Sequence, residues 1–192
     1  MFKRLLKILS IGVLSISLAG CQKDSIIDLI HADTEKMKIS EEVFSDDAYK
    51  PYVVGEVLFM PYMRHAGFEK DEEGNDYTNF TLKLAAYKQQ DNMNTILINS
   101  IKIVGTKDVN FEEITKDLAL PLEFTADEEL PSIQLSDNVL FEKINGNKNL
   151  NLTDNSMITV AINVSVTADT ETITKDLTYE FNTRIRTYSV QR

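Results

Sequence analysis

The chain has 192 residues, of which 43% are hydrophobic and 26% are charged, and its formal net charge at pH 7 is -10. This length predicts one domain, or one domain with a tether, and the composition excludes a largely disordered chain and a polytopic membrane protein. With 20 Lys and Arg against 30 Asp and Glu, the chain is a poor nucleic-acid binder, because affinity for phosphate depends on clustered cations. The single cysteine excludes an internal disulfide framework and a cysteine-based zinc site.

The first 20 residues have the pattern of an export signal. Lys3, Arg4 and Lys7 form a positively charged start, and an apolar run from Ile8 to Leu18 follows. This run is shorter than the roughly 20 residues that a helix needs to span a bilayer. We therefore predict that residues 1–20 are a cleaved signal peptide.

The signal ends in Leu18-Ala19-Gly20-Cys21, which resembles the lipobox of bacterial lipoproteins. The resemblance covers only the signal region. It implies that the Cys21 thiol receives a diacylglyceryl group and that a dedicated peptidase cuts before Cys21, so that several acyl chains hold the protein on a membrane. In a Gram-positive cell this implies the outer face of the cell membrane. In a Gram-negative cell it implies the outer membrane, because Gln22 is not the aspartate associated with inner-membrane retention.

Residues 21–50 are predicted to be a lipidated acidic tether. From residue 22 onward this stretch has eight acidic residues against four lysines and shows no sustained hydrophobic period. A solvated spacer is the favoured interpretation. The alternative is a short helix capped by Ser25, with Ile26, Ile27 and Ile30 on the side that docks on the domain.

From Pro51 onward the hydrophobic pattern changes to a period of two, which is typical of half-buried strands. The clearest strand covers residues 157–167 and places Ile162 on its buried face. A turn at residues 168–171 leads into a partner strand over residues 172–188. The remaining strands are predicted at residues 52–60, 78–88, 95–104, 118–124 and 139–144.

Several local details accompany these strands. The phase of strand 95–104 is mixed around Asn99 and Ser100, which indicates a bulge. Pro121 makes strand 118–124 an edge strand, and one helical turn is predicted over residues 110–118. The inner face of the last strand is expected to hold Leu177, Tyr179, Phe181 and Ile185.

About seven strands with little helix predict an all-β fold for residues 51–192, namely an immunoglobulin-like antiparallel β-sandwich. Alternating apolar and polar residues favour antiparallel sheets with one solvated face. The likeness to immunoglobulin domains is architectural, because the chain has no tryptophan. A small barrel is the alternative.

The sequence carries no motif typical of a catalytic or cofactor site. It lacks Gly-x-Ser-x-Gly, a P-loop, Gly-x-Gly-x-x-Gly and His-Glu-x-x-His. His31 falls in the predicted tether and His65 in a predicted loop, so nothing local places a histidine beside a nucleophile and an acid. A carboxylate pair in a cleft stays open but has no predicted location. We predict a protein that is not an enzyme and that has no cofactor.

The densest acidic run, at residues 69–76, looks superficially like a calcium-binding loop. Its candidate ligands are Asp71, Glu73 and Asp76. In the EF-hand register with Gly74 at the sixth position, the twelfth position is Phe80, where a bidentate glutamate is needed. The run is therefore predicted to be a solvated hairpin loop that turns at Gly74 and Asn75, and calcium binding of another kind stays an alternative.

A segment after Pro61 combines residue types that are enriched in interface cores. The predicted partner-binding residues are Tyr62, Met63, Arg64, His65 and Phe68. We expect a loop here, between a strand and the acidic run, where domains often carry binding residues. The alternative is that Tyr62, Met63 and Phe68 only close the end of the core.

The last part of the chain carries Arg184 and Arg186 on one strand face, followed by Arg192. Pairing of the first two with carboxylates on a neighbouring strand is the favoured interpretation. The alternative is a docking site for an acidic partner or for phosphate headgroups.

These observations predict a membrane-anchored extracytoplasmic lipoprotein that binds a protein partner in the cell envelope. The anchor would raise the effective concentration of the domain near that partner. The runner-up is an immunity or inhibitor lipoprotein whose acidic surface neutralises a basic toxin or hydrolase. The third alternative is a surface lipoprotein that binds a small ligand or calcium.

Overall fold

The structure is a computed structural model that describes residues 22–70, 72–74, 76–89, 94–106, 114–144 and 156–190. One short helix, α1 (Ala32–Lys36), and two 3₁₀ helices (Glu41–Phe44 and Lys50–Tyr52) precede most of the strands. None of the helices among these residues is long and apolar enough to cross a membrane. The strands are β1 (Gln22–His31), β2 (Val53–Val54), β3 (Val57–Lys70), β4 (Asp76–Gln89), β5 (Asn94–Thr106), β6 (Ile114–Pro121), β7 (Thr125–Ala126), β8 (Ile133–Ile144), β9 (Met157–Ala168) and β10 (Glu171–Val190).

These strands form two five-stranded antiparallel sheets. The first sheet has the order β1-β10-β9-β5-β6, and the second has the order β2-β3-β4-β8-β7. The predicted all-β architecture with two antiparallel sheets is confirmed. The described residues contain ten strands rather than about seven, because the sequence did not predict β1 or the two-residue strands β2 and β7.

One apolar core fills the space between the two sheets. In β9 buried and half-buried residues alternate over most of the strand, and Ile162 is fully buried. The second sheet contributes Phe80, Leu82 and Leu84 to the same core. The predicted phases of β9 and β4 are therefore confirmed. Each aliphatic side chain buried here stabilises the fold by about 1.5–3 kcal/mol relative to an exposed one.

A second, smaller core covers the other face of the second sheet. Val43 and Tyr49, from the segment between β1 and β2, are buried against Leu58, Met60 and Tyr87. Strands β3 and β4 are thus apolar on both faces where this segment crosses them. Residues 37–52 therefore belong to the folded domain.

The solvated spacer predicted for residues 22–50 is wrong, as is the alternative helix at Ser25. Residues 22–31 form β1, which pairs along its whole length with β10, from Gln22 opposite Val190 to His31 opposite Phe181. Leu29 and His31 are buried on its inner side. The acidic residues do not prevent pairing, because Asp28 forms an ion pair with Arg186 across the two strands.

The loop predicted for residues 62–68 is also wrong, because β3 continues through Pro61 to Lys70. A proline has no N–H to donate and is tolerated at the open edge of a sheet. Strand β2 pairs with β3 only at Val57 and Leu58, so none of the described strands neighbours β3 on that side at Pro61. The edge position explains why the proline does not end the strand.

Other local predictions have mixed outcomes. The bulge in β5 is confirmed between Ile98 and Ser100. Strand β6 lies at an edge, as predicted, but it ends at Pro121 and begins at Ile114. The helical turn predicted for residues 110–118 is therefore wrong over 114–118, and residues 110–113 lie outside the described residues. Ile185 is 44% exposed, so the inner face predicted for the last strand is correct only for Leu177, Tyr179 and Phe181.

A tight turn at Gly55 and Glu56 joins β2 to β3. Both residues have positive φ angles, +51° and +65°, as in the two-residue turns whose twist matches that of paired strands. A Cβ at Gly55 would lie 2.8 Å from Cγ1 of Val166 in the opposite sheet. Glycine is therefore required here both by the backbone and by the close approach of the two sheets.

Candidate functional site

The candidate site is a groove of about 180 Å³ between two strands that lie at the edges of different sheets. We call it the β1–β3 groove. Residues 29–31 of β1, with Thr34 and Glu35 of α1, form one wall, and residues 61–64 of β3 form the other. Phe181 of β10 closes the floor. The lining is mainly apolar, and the charged side chains of Glu35 and Arg64 belong to its exposed part.

The groove exists because the edges of the two sheets meet at one corner of the domain. Strand β1 lies at one edge of the first sheet. Beyond Leu58, none of the described strands pairs with the outer side of β3. Helix α1 follows β1 directly and lies beside this open edge, where the Thr34 hydroxyl donates to the Pro61 carbonyl over 3.1 Å.

A polar cluster around His31 fixes the wall on the β1 side. Nδ1 of His31 lies 2.8 Å from the Thr34 hydroxyl, and Nε2 lies 3.2 Å from the Tyr52 hydroxyl. Tyr52 in turn donates to a carboxylate oxygen of Asp33 over 2.9 Å. The imidazole also makes edge contacts with the rings of Tyr52 and Tyr179. The cluster thereby joins β1, α1 and the second 3₁₀ helix.

The protonation of this cluster suits a structural role. Burial, followed by the hydrogen bond to Asp33, raises the pKa of Tyr52 to about 12, so the phenol keeps the proton that it donates. Burial also raises the pKa of Tyr179, whose hydroxyl donates to the Phe59 carbonyl over 2.8 Å. The Thr34 hydroxyl contacts His31 and donates its proton to the Pro61 carbonyl.

We expect His31 to make the stability of the domain depend on pH. Burial lowers the pKa of His31 below its ordinary value of 6.5, although Asp33 and Glu180 act in the opposite direction. The unfolded chain therefore binds a proton at this group below about pH 6.5, while the folded chain stays neutral until a lower pH. The free energy of unfolding should be unaffected above pH 6.5 and should fall from there down to the pKa of the folded state.

Urea unfolding followed by circular dichroism between about pH 7.5 and 5 measures this effect. In His31→Gln the decrease attributed to the imidazole should be absent, so the stability difference between the two proteins should narrow as the pH falls. An NMR titration of the ring in the folded protein provides the independent pKa. A ring that titrates at or above pH 6.5 would refute the assignment.

The structure brings together three of the five predicted partner-binding residues. Tyr62, Met63 and Arg64 all line the β1–β3 groove. Tyr62 is half-buried, with its hydroxyl 3.1 Å from that of Tyr87, while Met63 is 7% exposed and joins the main core. His65 is half-buried beside the bulge where β3 shifts register against β4. Phe68 lies in β3, but its side chain lies outside the described residues.

Sequence reasoning missed the opposite wall of the groove, which includes Leu29, His31 and Thr34. A signal was present: Ile27, Leu29 and His31 alternate along the chain as an inward strand face does. It was obscured because Ile26 and Ile30 make the other face apolar as well.

The acidic run forms the predicted hairpin loop between β3 and β4. The last pair before the loop is Lys70 with Asp76, and Gly74 has a φ of +85°. Glu73 is exposed, whereas Asp71 and the side chain of Asp76 lie outside the described residues. In the part of the chain that the structure describes, no three His, Cys, Asp or Glu side chains are grouped so that they could hold a metal ion. Calcium binding at this loop stays a prediction.

Both strand arginines pair with carboxylates of their own chain, and the predicted pairing with a neighbouring strand is confirmed for Arg186 but not for Arg184. Arg184 lies 2.8 Å from a carboxylate oxygen of Glu35 on α1. Arg186 forms an ion pair with Asp28 on the neighbouring strand β1. Both contacts hold the β1–α1 segment against β10. Arg192 lies outside the described residues.

Comparison of the chain with protein-family models, with curated proteins and with solved structures finds no significant match.

Proposed function

We propose that this chain is an exported bacterial lipoprotein anchored through Cys21, and that its domain binds a protein partner at the β1–β3 groove without catalysing a reaction. The anchor is supported by the lipobox-like residues 18–21 and the positively charged, apolar segment before them. These residues lie outside the described residues. The finer immunoglobulin-like type of the domain stays a prediction, and partner binding at the groove does not depend on it.

The observation that carries the binding proposal is the composition and position of the groove. It collects Tyr62, Met63 and Arg64 on the part of β3 that no described strand covers on its outer side, and Tyr, Met and Arg are enriched where proteins bind one another. An edge strand leaves backbone groups open to another chain. The His31 cluster holds the facing wall in place, so the surface is preorganised and a partner does not have to order it.

A protein partner fits this groove better than a small molecule does. Sites for drug-sized ligands have volumes of about 300–1,000 Å³, whereas the groove measures about 180 Å³. That space accepts one large side chain. The rest of the binding energy would come from the surfaces around it, as in ordinary protein interfaces.

Photo-crosslinking in intact cells tests the proposal. The full-length chain would carry p-benzoylphenylalanine in place of Ile30, which lines the groove and is partly exposed. The matched control carries it in place of Thr178, which is exposed on β10. We expect one discrete, saturable protein adduct from position 30 and none from position 178. Adducts of equal yield at both positions, or none at position 30, would refute binding at the groove.

The identity of a captured partner also separates the alternatives. A basic toxin or hydrolase whose adduct yield falls steeply with added salt would favour the inhibitor function. A neutral or acidic envelope protein would favour the accessory function proposed here.

A further inference from the structure

The β1–β3 groove has one unpaired cation at its rim. Arg64 is exposed, and no carboxylate among the described side chains pairs with it. The neighbouring arginines differ, because Arg184 is held by Glu35 and Arg186 by Asp28. In a chain with a net charge of -10, an unpaired guanidinium beside an apolar groove is a local exception to the charge of the surface.

The backbone of β3 is open at the same place. Pro61 cannot donate a hydrogen bond to a neighbouring strand, and it lies opposite Leu84 at a position where the two strands exchange no hydrogen bond. Its carbonyl therefore points to the open edge, where it accepts a hydrogen bond from the Thr34 hydroxyl. Backbone direction alternates along a strand, so the N–H and C=O of Met63 point to that edge as well. No described strand pairs with Met63 on this side. Among the described strands its outward backbone groups therefore have no ladder partner, which is the feature that an added strand would use.

The interior of the groove accepts an apolar side chain. Phe181 is 1% exposed and Met63 is 7% exposed, so they present a narrow apolar floor. The polar groups of the facing wall already have partners in the domain: the Thr34 hydroxyl donates to the Pro61 carbonyl, Nδ1 of His31 accepts from the Thr34 N–H, and Nε2 of His31 contacts the Tyr52 hydroxyl. A polar group inserted here would lose its water without gaining a free partner, which is costly.

We infer that the partner enters the β1–β3 groove as an extended segment that pairs with the backbone of Met63, inserts one large apolar side chain beside Phe181, and places an adjacent carboxylate on Arg64. This inference rests on the proposed function and specifies its partner. A guanidinium binds a carboxylate through two parallel hydrogen bonds, which fixes the direction of the segment. Because the rest of the domain is acidic, a segment with several carboxylates is disfavoured. The recognised unit is one acidic residue next to one apolar residue.

The test measures the adduct yield from position 30 in chains that also carry Arg64→Glu or Arg64→Lys. Arg64 is exposed, so thermal unfolding of both variants should match that of the parent. Arg64→Glu reverses the charge at the rim and should lower the yield by at least about tenfold, which corresponds to the loss of one charge-assisted contact. Arg64→Lys keeps the charge without the two-pronged geometry and should give an intermediate yield. The cross-linked peptide of the partner should contain an acidic residue beside an apolar one.

The outcomes separate this inference from the proposed function. If Arg64→Glu leaves the yield unchanged or raises it, the groove binds a partner but not through a carboxylate, and only the inference is overturned. A partner peptide without Asp, Glu or a terminal carboxylate would overturn it in the same way. If the parent chain gives no adduct from position 30, the proposed function itself fails.

Discussion

Replacement of Ile162 by aspartate is expected to unfold the domain. Ile162 lies in the middle of β9 and is fully buried. Its neighbours on the same face are Ile101 of β5 and Leu177 of β10, which are also buried. Aspartate at this position removes their packing partner and brings an unpaired carboxyl group into an apolar core. Even in its neutral form the buried carboxyl costs several kcal/mol, which is a large part of the roughly 5–15 kcal/mol that stabilises a typical domain.

The adjacent residue provides a matched control. Ala161 lies on the outer face of β9 and is half-exposed, and its cross-strand neighbours are Lys102 and Thr178. Ala161→Asp introduces the same side chain one position away, opposite a lysine, and should keep the fold. Circular dichroism during heating should show a cooperative transition for Ala161→Asp and none for Ile162→Asp. If Ile162→Asp melts near the temperature of the parent, this face of β9 is not the core.

The strands that could be predicted from sequence are those whose pattern reflects their own environment. β9 lies between two strands of its sheet, with one face in the core and one in water, so its alternation is uninterrupted. β4 showed the same alternation, although the second core also buries Ala85 and Tyr87 on its other face. The burial of these two residues depends on Val43 and Tyr49, which lie far away in the chain, and no local pattern contains that information.

β1 is hard to predict because Ile26 and Ile30 obscure its alternation and because its partners are distant in sequence. Asp28 meets Arg186, and Glu35 meets Arg184. In the local sequence these acidic residues indicate a solvated spacer. The arginines that neutralise them are distant in the chain, and only the fold brings them together. The two short strands β2 and β7 are invisible for a different reason: two residues are too few to display a period.

The sequence indicates only one wall of the candidate site. Tyr62, Met63 and Arg64 are predicted from residue chemistry to bind a partner, and they line the groove on a strand rather than on a loop, while partner binding itself stays a prediction. The other wall comes from residues about thirty positions earlier and depends on β1 pairing with β10. A groove between the edges of two sheets is a property of topology, and the sequence pattern reports only which residues could line it.

The position of β1 also changes what an anchor at Cys21 would do. Gln22, the next residue, is already the first residue of β1, so a lipid on Cys21 would be joined to the domain with almost no spacer. Leu29 follows seven positions later along the same strand. At about 3.3 Å per residue, the groove lies about 23 Å from the anchored end of β1. A lipidated domain would thus keep the groove within about 23 Å of its anchor along β1, close to the membrane and within reach of a partner in the same envelope.

Cys21→Ser is therefore expected to move the protein from the membrane into the aqueous fraction. Each buried methylene of an acyl chain contributes about 0.8 kcal/mol to membrane binding, so two or three chains anchor the protein firmly and their loss abolishes retention. Detergent phase partitioning of cell extracts measures the change, and mass spectrometry of the N-terminal peptide reports both signal removal and acylation. Gln22→Ala, which keeps the cysteine, should stay in the detergent phase. A Cys21→Ser chain that has lost residues 1–20 and still partitions with detergent would show that Cys21 is not the anchor.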